Sequence, residues 1–119
     1  MPTYAPHQVS ERSGLSLDTL RYYERVGLIP VVRRDGAGRR VYGEEHLRYL
    51  DALRCLRRGG MPVREMQRYV ALARAGQHTA ADRAELLERH RESILDRIAE
   101  LQEALVTVDE KIAYYRSLP

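Results

Sequence analysis

The chain has 119 residues, 44% hydrophobic and 31% charged, with a formal net charge of +3 at pH 7. That length builds one domain, or one small domain with an appendage, and argues against a two-lobed enzyme. One cysteine excludes an intrachain disulfide and any multi-cysteine metal site within the chain, and no run approaches the roughly 18 apolar residues of a membrane span.

The amino-terminal residues carry no apolar core of signal-peptide length, so a soluble, cytoplasmic protein is expected. There is no Trp and no Phe, but 8 Tyr, so the core must be built mainly from Leu, Ile and Val. Charge is unevenly distributed. Residues 1–75 hold fourteen Arg against eight acids, a net +6; residues 76–119 hold five Arg and one Lys against nine acids, a net −3. A basic front half suits a polyanion, and an acidic rear half suits a different task. Arg supplies every cation but Lys111, and its planar fork matches phosphate and guanine bidentately.

Residues 6–13 are helix-compatible, with Pro6 acceptable in the first turn and Gly14 as a stop. Ser16 then stands where a helix N-cap belongs, Asp18 suits the first turn, and Leu17 to Val26 continues helically up to Gly27. Two short helices joined by a tight Gly-containing turn form a helix-turn-helix pattern, whose second helix can enter the DNA major groove. On that helix Ser16, Thr19, Arg21, Tyr22 and Arg25 can share the outward face, leaving Leu17, Leu20 and Tyr23 for packing. Arg21 is the leading candidate for a base or phosphate contact, the alternative being an ion pair with Glu24.

Next come Pro30-Val31-Val32-Arg33-Arg34 and Arg39-Arg40-Val41-Tyr42, flanking Asp35-Gly36-Ala37-Gly38, a hairpin signal. Arg33, Arg34, Arg39 and Arg40 give it the character of a cationic wing, although strand alternation sends neighbours to opposite faces. Tyr22 and Tyr42 can each donate a hydroxyl to phosphate or pack as half-buried rings. Glu44 to Arg58 reads as a third helix with Leu47, Leu50, Leu53 and Leu56 along one stripe, ended by Gly59-Gly60. Pro62 to Ala75 reads as a fourth, with Met66, Tyr69, Val70 and Ala73 on its apolar side.

From about residue 80 the pattern is long and regular. Heptad a positions fall at Ala84, Arg91, Ile98, Leu105 and Ile112, and d positions at Leu87, Ile94, Leu101, Val108 and Tyr115. A helix over residues 82–116 is about 52 Å long, too long to fold onto a small domain throughout. Such a seam calls for a partner helix, most simply that of a second copy, with Leu87, Ile94, Ile98, Leu101, Leu105, Val108, Ile112 and Tyr115 at the interface.

The run Thr19-Leu20-Arg21-Tyr22-Tyr23-Glu24-Arg25-Val26-Gly27-Leu28-Ile29-Pro30, followed by Arg33, Gly38, Arg40 and Tyr42, closely resembles the signature of MerR-type transcriptional regulators. The resemblance covers residues 4 to about 75, and the terminal helix is similar in place and length to that family's antiparallel dimerisation helix. It implies a mainly α fold: a winged helix-turn-helix domain of four helices plus a β-hairpin wing over residues 1–75, then a linker and coiled-coil helix over 76–119. It also implies a homodimer on a pseudo-palindromic operator, inside a promoter whose spacer is too long for RNA polymerase until the bound dimer distorts it. Two departures stand out. Ala5 and Pro6 occupy positions where relatives place a hydroxyl cap and an aliphatic residue, and Gly38-Arg39-Arg40 replaces Gly-Tyr-Arg in the wing.

The context Leu53-Arg54-Cys55-Leu56-Arg57-Arg58-Gly59-Gly60-Met61-Pro62 resembles a family branch that responds to reactive aldehydes or nitrosothiols through one cysteine. Cys55 is therefore a sensor candidate; a small buried apolar residue is the alternative. No metal or other cofactor is expected: the cysteine pair of the family's metal sensors is missing, and His7, His46, His78 and His90 read as scattered surface residues. A DNA-architectural protein similar to phage excisionases is the competing class. A coiled-coil interaction protein is a third, and no phosphate loop or nucleophilic triad suggests an enzyme.

Overall fold

The computed structural model describes residues 2–119, which divide into two compact units, one ending at Ala80 and one running from Ala81 to Pro119. In chain order the elements are β1 (Thr3–Tyr4), α1 (Pro6–Ser13), α2 (Leu17–Arg25), β2 (Arg33–Arg34), β3 (Arg40–Gly43), α3 (Glu44–Arg58), α4 (Val63–Ala75), a 3₁₀ turn (Gln77–Thr79) and α5 (Ala80–Ser117). The architecture is mainly helical, with one small antiparallel sheet.

Each helix begins and ends for a local reason. At α1 the Ala5 side chain cannot cap, so Gln8 reaches back and its Oε1 accepts the Ala5 amide at 2.8 Å. Gly14 closes the helix at φ 73°, a left-handed conformation that glycine adopts without Cβ strain, and its amide donates to Ser10 O. Ser16 caps α2 by accepting the Thr19 amide at 3.1 Å. Pro62 stands just outside α4 as its N-cap, so that helix starts one residue later than the pattern suggests.

The sheet order is β1-β3-β2, with β3 central. Arg33 pairs with Val41 and Arg34 with Arg40, while Tyr4 pairs with Tyr42. The hairpin tip is organised by Asp35, whose Oδ1 accepts the Ala37 and Arg39 amides, both at 2.9 Å. Strand β1 has no counterpart in the sequence reading, because two residues offer no alternation to detect; a Tyr4 hydroxyl hydrogen bond to Glu44 also fastens it to the start of α3.

Val9, Leu20, Leu28, Ile29, Leu50, Leu53, Met66 and Val70 form the centre of the front unit, each 2% exposed or less. The leucine stripe of α3 is buried as its spacing predicts. Leu17 departs from expectation: at the first position of α2 it is 40% exposed, leaving Leu20 and Tyr23 as the packing residues of that helix. The front unit also ends later than the expected break after Ala75. Thr79 is buried, and its Oγ1 donates to Leu72 O and Gly76 O at 2.6 and 2.8 Å, tying the 3₁₀ turn to α4.

The second unit is the body of α5, a helix of 38 residues and thus about 57 Å. Its hydrophobic stripe is uncovered. Leu87, Ile98, Leu101, Leu105, Val108, Ile112 and Tyr115 are exposed, Ile94 is half-buried, and Leu86 is the helix's buried residue.

Candidate nucleic-acid interface

The outward face of α2 carries most of the residues singled out from the sequence. Arg21, Arg25 and Ser16 are exposed; Thr19 and Tyr22 are half-buried. Arg21 forms a loose pair with Asp18 at 3.3 Å rather than with Glu24, and both partners stay largely in solvent. Such a surface pair is worth little and can be exchanged for a phosphate or a base edge. The Arg25 guanidinium lies over the Tyr22 ring, 5.3 Å from its centroid, which keeps both side chains on one patch. Ser16 is engaged at the cap, since besides accepting the Thr19 amide its hydroxyl donates to Thr19 Oγ1 at 3.0 Å.

Beside this face α2 and the α3–α4 corner border an open cleft of about 720 Å³, lined among others by Thr19, Arg21, Tyr22, Arg25, Arg57, Pro62 and Val63. Arg57 is the residue the sequence reading missed. It enters that reading only as a neighbour of Cys55, and nothing local connects it to a helix more than thirty positions earlier.

In the wing, Arg33, Arg34 and Arg39 are exposed. Arg34 Nη1 donates to Gly38 O at 2.8 Å, and Arg39 lies 3.6 Å from Asp35. The Arg39 amide, with that of Ala37, outweighs the opposing effect of burial and holds the Asp35 carboxyl below its ordinary value.

Two wing candidates are corrected. Tyr42 is 1% exposed, with its ring edge-on to His46 at 5.4 Å, so it is a core residue and not a phosphate donor. Arg40 follows from the same alternation: two positions from Tyr42, it turns inward and pairs with Glu24 of α2. Its side chain is 20% exposed and that of Glu24 19%. Burial alone would raise the Glu24 carboxyl, but the Val32 amide and the Arg40 guanidinium together hold it below its ordinary value.

His46 is a third correction. It is buried rather than a surface residue, with Nδ1 accepting the Gly43 amide at 3.0 Å and Nε2 3.1 Å from Pro30 O. Because Nδ1 accepts, the ring proton sits on Nε2 and is donated to Pro30. Gln67 of α4 adds a tie, its Nε2 donating to Val26 O at 2.9 Å beyond the end of α2. The recognition helix is thereby fixed from the wing side and from α4.

Cys55 is exposed on α3 and forms no disulfide. Arg54, Arg57 and Arg58 around it are exposed, as is Asp51 one turn earlier. No helix among the described residues is long and apolar enough to cross a membrane.

Comparison with known proteins agrees with this geometry. Residues 4–72 match the model of the MerR HTH family regulatory proteins, and residues 47–111 match the MerR DNA-binding model. An uncharacterised HTH-type transcriptional regulator of Haemophilus influenzae is 33% identical over 96% of this chain and 84% of its own length. The regulator AdhR of Bacillus subtilis is 37% identical over 75% of this chain and 64% of its own. Among solved structures, a MerR family chain from Listeria monocytogenes superposes with a TM-score of 0.84 at 44% identity, covering 96% of this chain and 86% of that one. HiNmlR, a MerR regulator described as lacking the sensor domain and solved on promoter DNA, gives 0.83 at 33% identity, over 97% and 91%. A capped recognition helix with an arginine face, an arginine-bearing hairpin packed against it and matches that together run from residue 4 to residue 111 lead to one conclusion: the chain belongs to the MerR family of helix-turn-helix transcriptional regulators.

Proposed function

We propose that the protein acts as a homodimer on double-stranded promoter DNA. In this reading α2 enters the major groove, with Arg21 reading a base edge or a neighbouring phosphate and Arg25, Tyr22, Thr19 and Ser16 in support. Arg33 and Arg39 of the wing meet the phosphate backbone. The observation that carries the reading is the exposed, arginine-lined face of α2, where Asp18 holds Arg21 loosely at the surface. The promoter-bound state of the relative HiNmlR supports it.

The second copy pairs through the exposed stripe of α5 in antiparallel fashion. The dimer distorts an overlong promoter spacer so that RNA polymerase engages both promoter elements, and it works in the cytoplasm. Transcription with purified polymerase tests this on a promoter carrying a binding site selected by the protein. Stimulation that disappears when the spacer is shortened to the length polymerase prefers supports spacer distortion; equal stimulation at every spacer length contradicts it. Arg21→Ala is expected to lose about 1–3 kcal/mol of discrimination at one base step, read from binding to single-base variants of the site.

Cys55 is the proposed sensor, with a reactive aldehyde or a nitrosothiol as effector. Its exposure among three exposed arginines supports a reactive thiol over an inert packed one. Mass spectrometry after methylglyoxal or formaldehyde treatment, together with transcription by Cys55→Ala, tests the assignment. A variant that still responds fully to the electrophile removes Cys55 from the signal.

A further inference from the structure

Both arms of the wing meet one carboxylate of the recognition helix. Glu24, near the end of α2, accepts the Val32 amide on Oε2 at 2.7 Å, just before β2 begins. Its other oxygen accepts from Arg40 Nη2 at the start of β3. The pairing is enclosed: Val32 is 7% exposed, and Arg40 Nε is buried with no hydrogen-bond partner among the described residues. His46 of α3 also ties Pro30, before the first arm, to Gly43, at the end of the second. The hairpin is thus fastened at its root to two helices, through four polar links.

The other arginine–carboxylate pairs of the interface are different in kind. Arg21–Asp18 and Arg39–Asp35 are long and open to solvent, so their cations can change partners when a phosphate arrives. Arg40 cannot do so without leaving Glu24 as an uncompensated, mostly enclosed charge. A cation already matched by an enclosed carboxylate also adds little to the positive charge that displaces counterions from DNA.

We propose that Glu24 is a positioning residue for DNA binding, holding both wing arms through the Val32 amide and the Arg40 guanidinium so that wing and recognition helix present one surface. Arg40 serves this clamp and not a phosphate. The functional half of the inference rests on the DNA-binding reading above; the clamp itself does not.

The test uses the full chain and the variants Glu24→Gln, Arg40→Met, their combination, Arg40→Lys, and Arg33→Ala as an outward-facing control. Amide hydrogen exchange without DNA judges the clamp. Residues 32–43 are expected to exchange at least about tenfold faster in Glu24→Gln and in Arg40→Met, as loss of a charge-assisted hydrogen bond implies, with α3 and α4 unchanged and partial recovery in Arg40→Lys. Unchanged exchange over 32–43 overturns the proposal.

Affinity as a function of salt, on a duplex selected by the unsubstituted chain, judges the role. Arg40→Met and Glu24→Gln should each weaken binding about tenfold without lowering the salt slope by a whole phosphate, and the double variant should be no worse than the weaker single, as members of one network behave. Arg33→Ala should lower the slope by about one contact. A slope loss of that size in Arg40→Met, or additive single effects, overturns the proposal. If the unsubstituted chain binds no duplex at low salt, the DNA-binding reading fails and the positioning role fails with it, while exchange still decides whether the clamp exists.

Discussion

The front unit and the long helix carry similar proportions of apolar residues and handle them in opposite ways. In the front unit Val9, Leu20, Leu28, Leu50 and Leu53 are each at most 1% exposed, packed by short helices that fold onto one another. Along α5, Leu101, Leu105 and Tyr115 expose 61%, 59% and 66% of their surface. The difference lies in length and period. Helices of eight to fifteen residues can turn back on each other, whereas one of 38 residues carries its stripe far beyond what a small domain can cover. Charge divides in the same way, the excess of arginine lying on the unit that completes its own core and the excess of acid on the helix that leaves its stripe open. One unit therefore has a finished interior and a surface free to bind a polyanion. The other leaves an apolar stripe uncovered, the surface that in the proposed homodimer a coiled-coil seam with a second copy completes.

That contrast can be attacked from either side. Placing charges in the seam, as Leu101→Asp with Leu105→Asp, should abolish the dimer, because two unpaired carboxylates would each cost several kcal/mol if buried there. Sedimentation should then report the single-chain mass, and an unchanged dimer would refute the role assigned to α5. Within the finished core, Leu20→Ala should remove about 2–5 kcal/mol of stability, by the usual cost of a leucine-sized cavity. Chemical denaturation measures it, with the sedimentation mass of the folded protein unchanged.

Smaller effects concern the mounting of the recognition helix. Ser16→Ala removes the cap of α2 and should cost about 1 kcal/mol in the same denaturation experiment. Acid should act on the wing through Glu24. Its carboxyl is held below the ordinary value in the folded chain, so its stabilisation is complete above the unfolded value, about 4.3, and is lost as pH falls through the lower folded one. Hydrogen exchange of residues 32–43 should therefore quicken in that acidic window before α3 and α4 lose protection, and Glu24→Gln should flatten the dependence.

Local and periodic features were legible from the sequence. Ser16, Gly14 and the Gly59-Gly60 stop mark helix ends through backbone chemistry confined to a few residues, and the leucines of α3 and the heptads of α5 repeat often enough to fix a face. The features that escaped depend on distant partners. Glu24 meets Arg40 sixteen positions away and Gln67 meets Val26 forty-one away, pairings that no spacing rule encodes. The burial of Tyr42 and His46 follows from the sheet packing against α3, and a tyrosine beside arginines in a short strand looks the same whether its ring points in or out. For the candidate site this means that the exposed arginines of α2 and the wing tip could be named in advance, whereas the division of labour between Arg40 and its neighbours required the fold.

Binding-site selection with the purified full chain on random duplex DNA, followed by sequencing, examines recognition and pairing together. A dimer that places one α2 in each of two major-groove segments should enrich an inverted repeat whose half-sites keep one fixed separation. Enrichment of no sequence, or of a single unrepeated element, would contradict it.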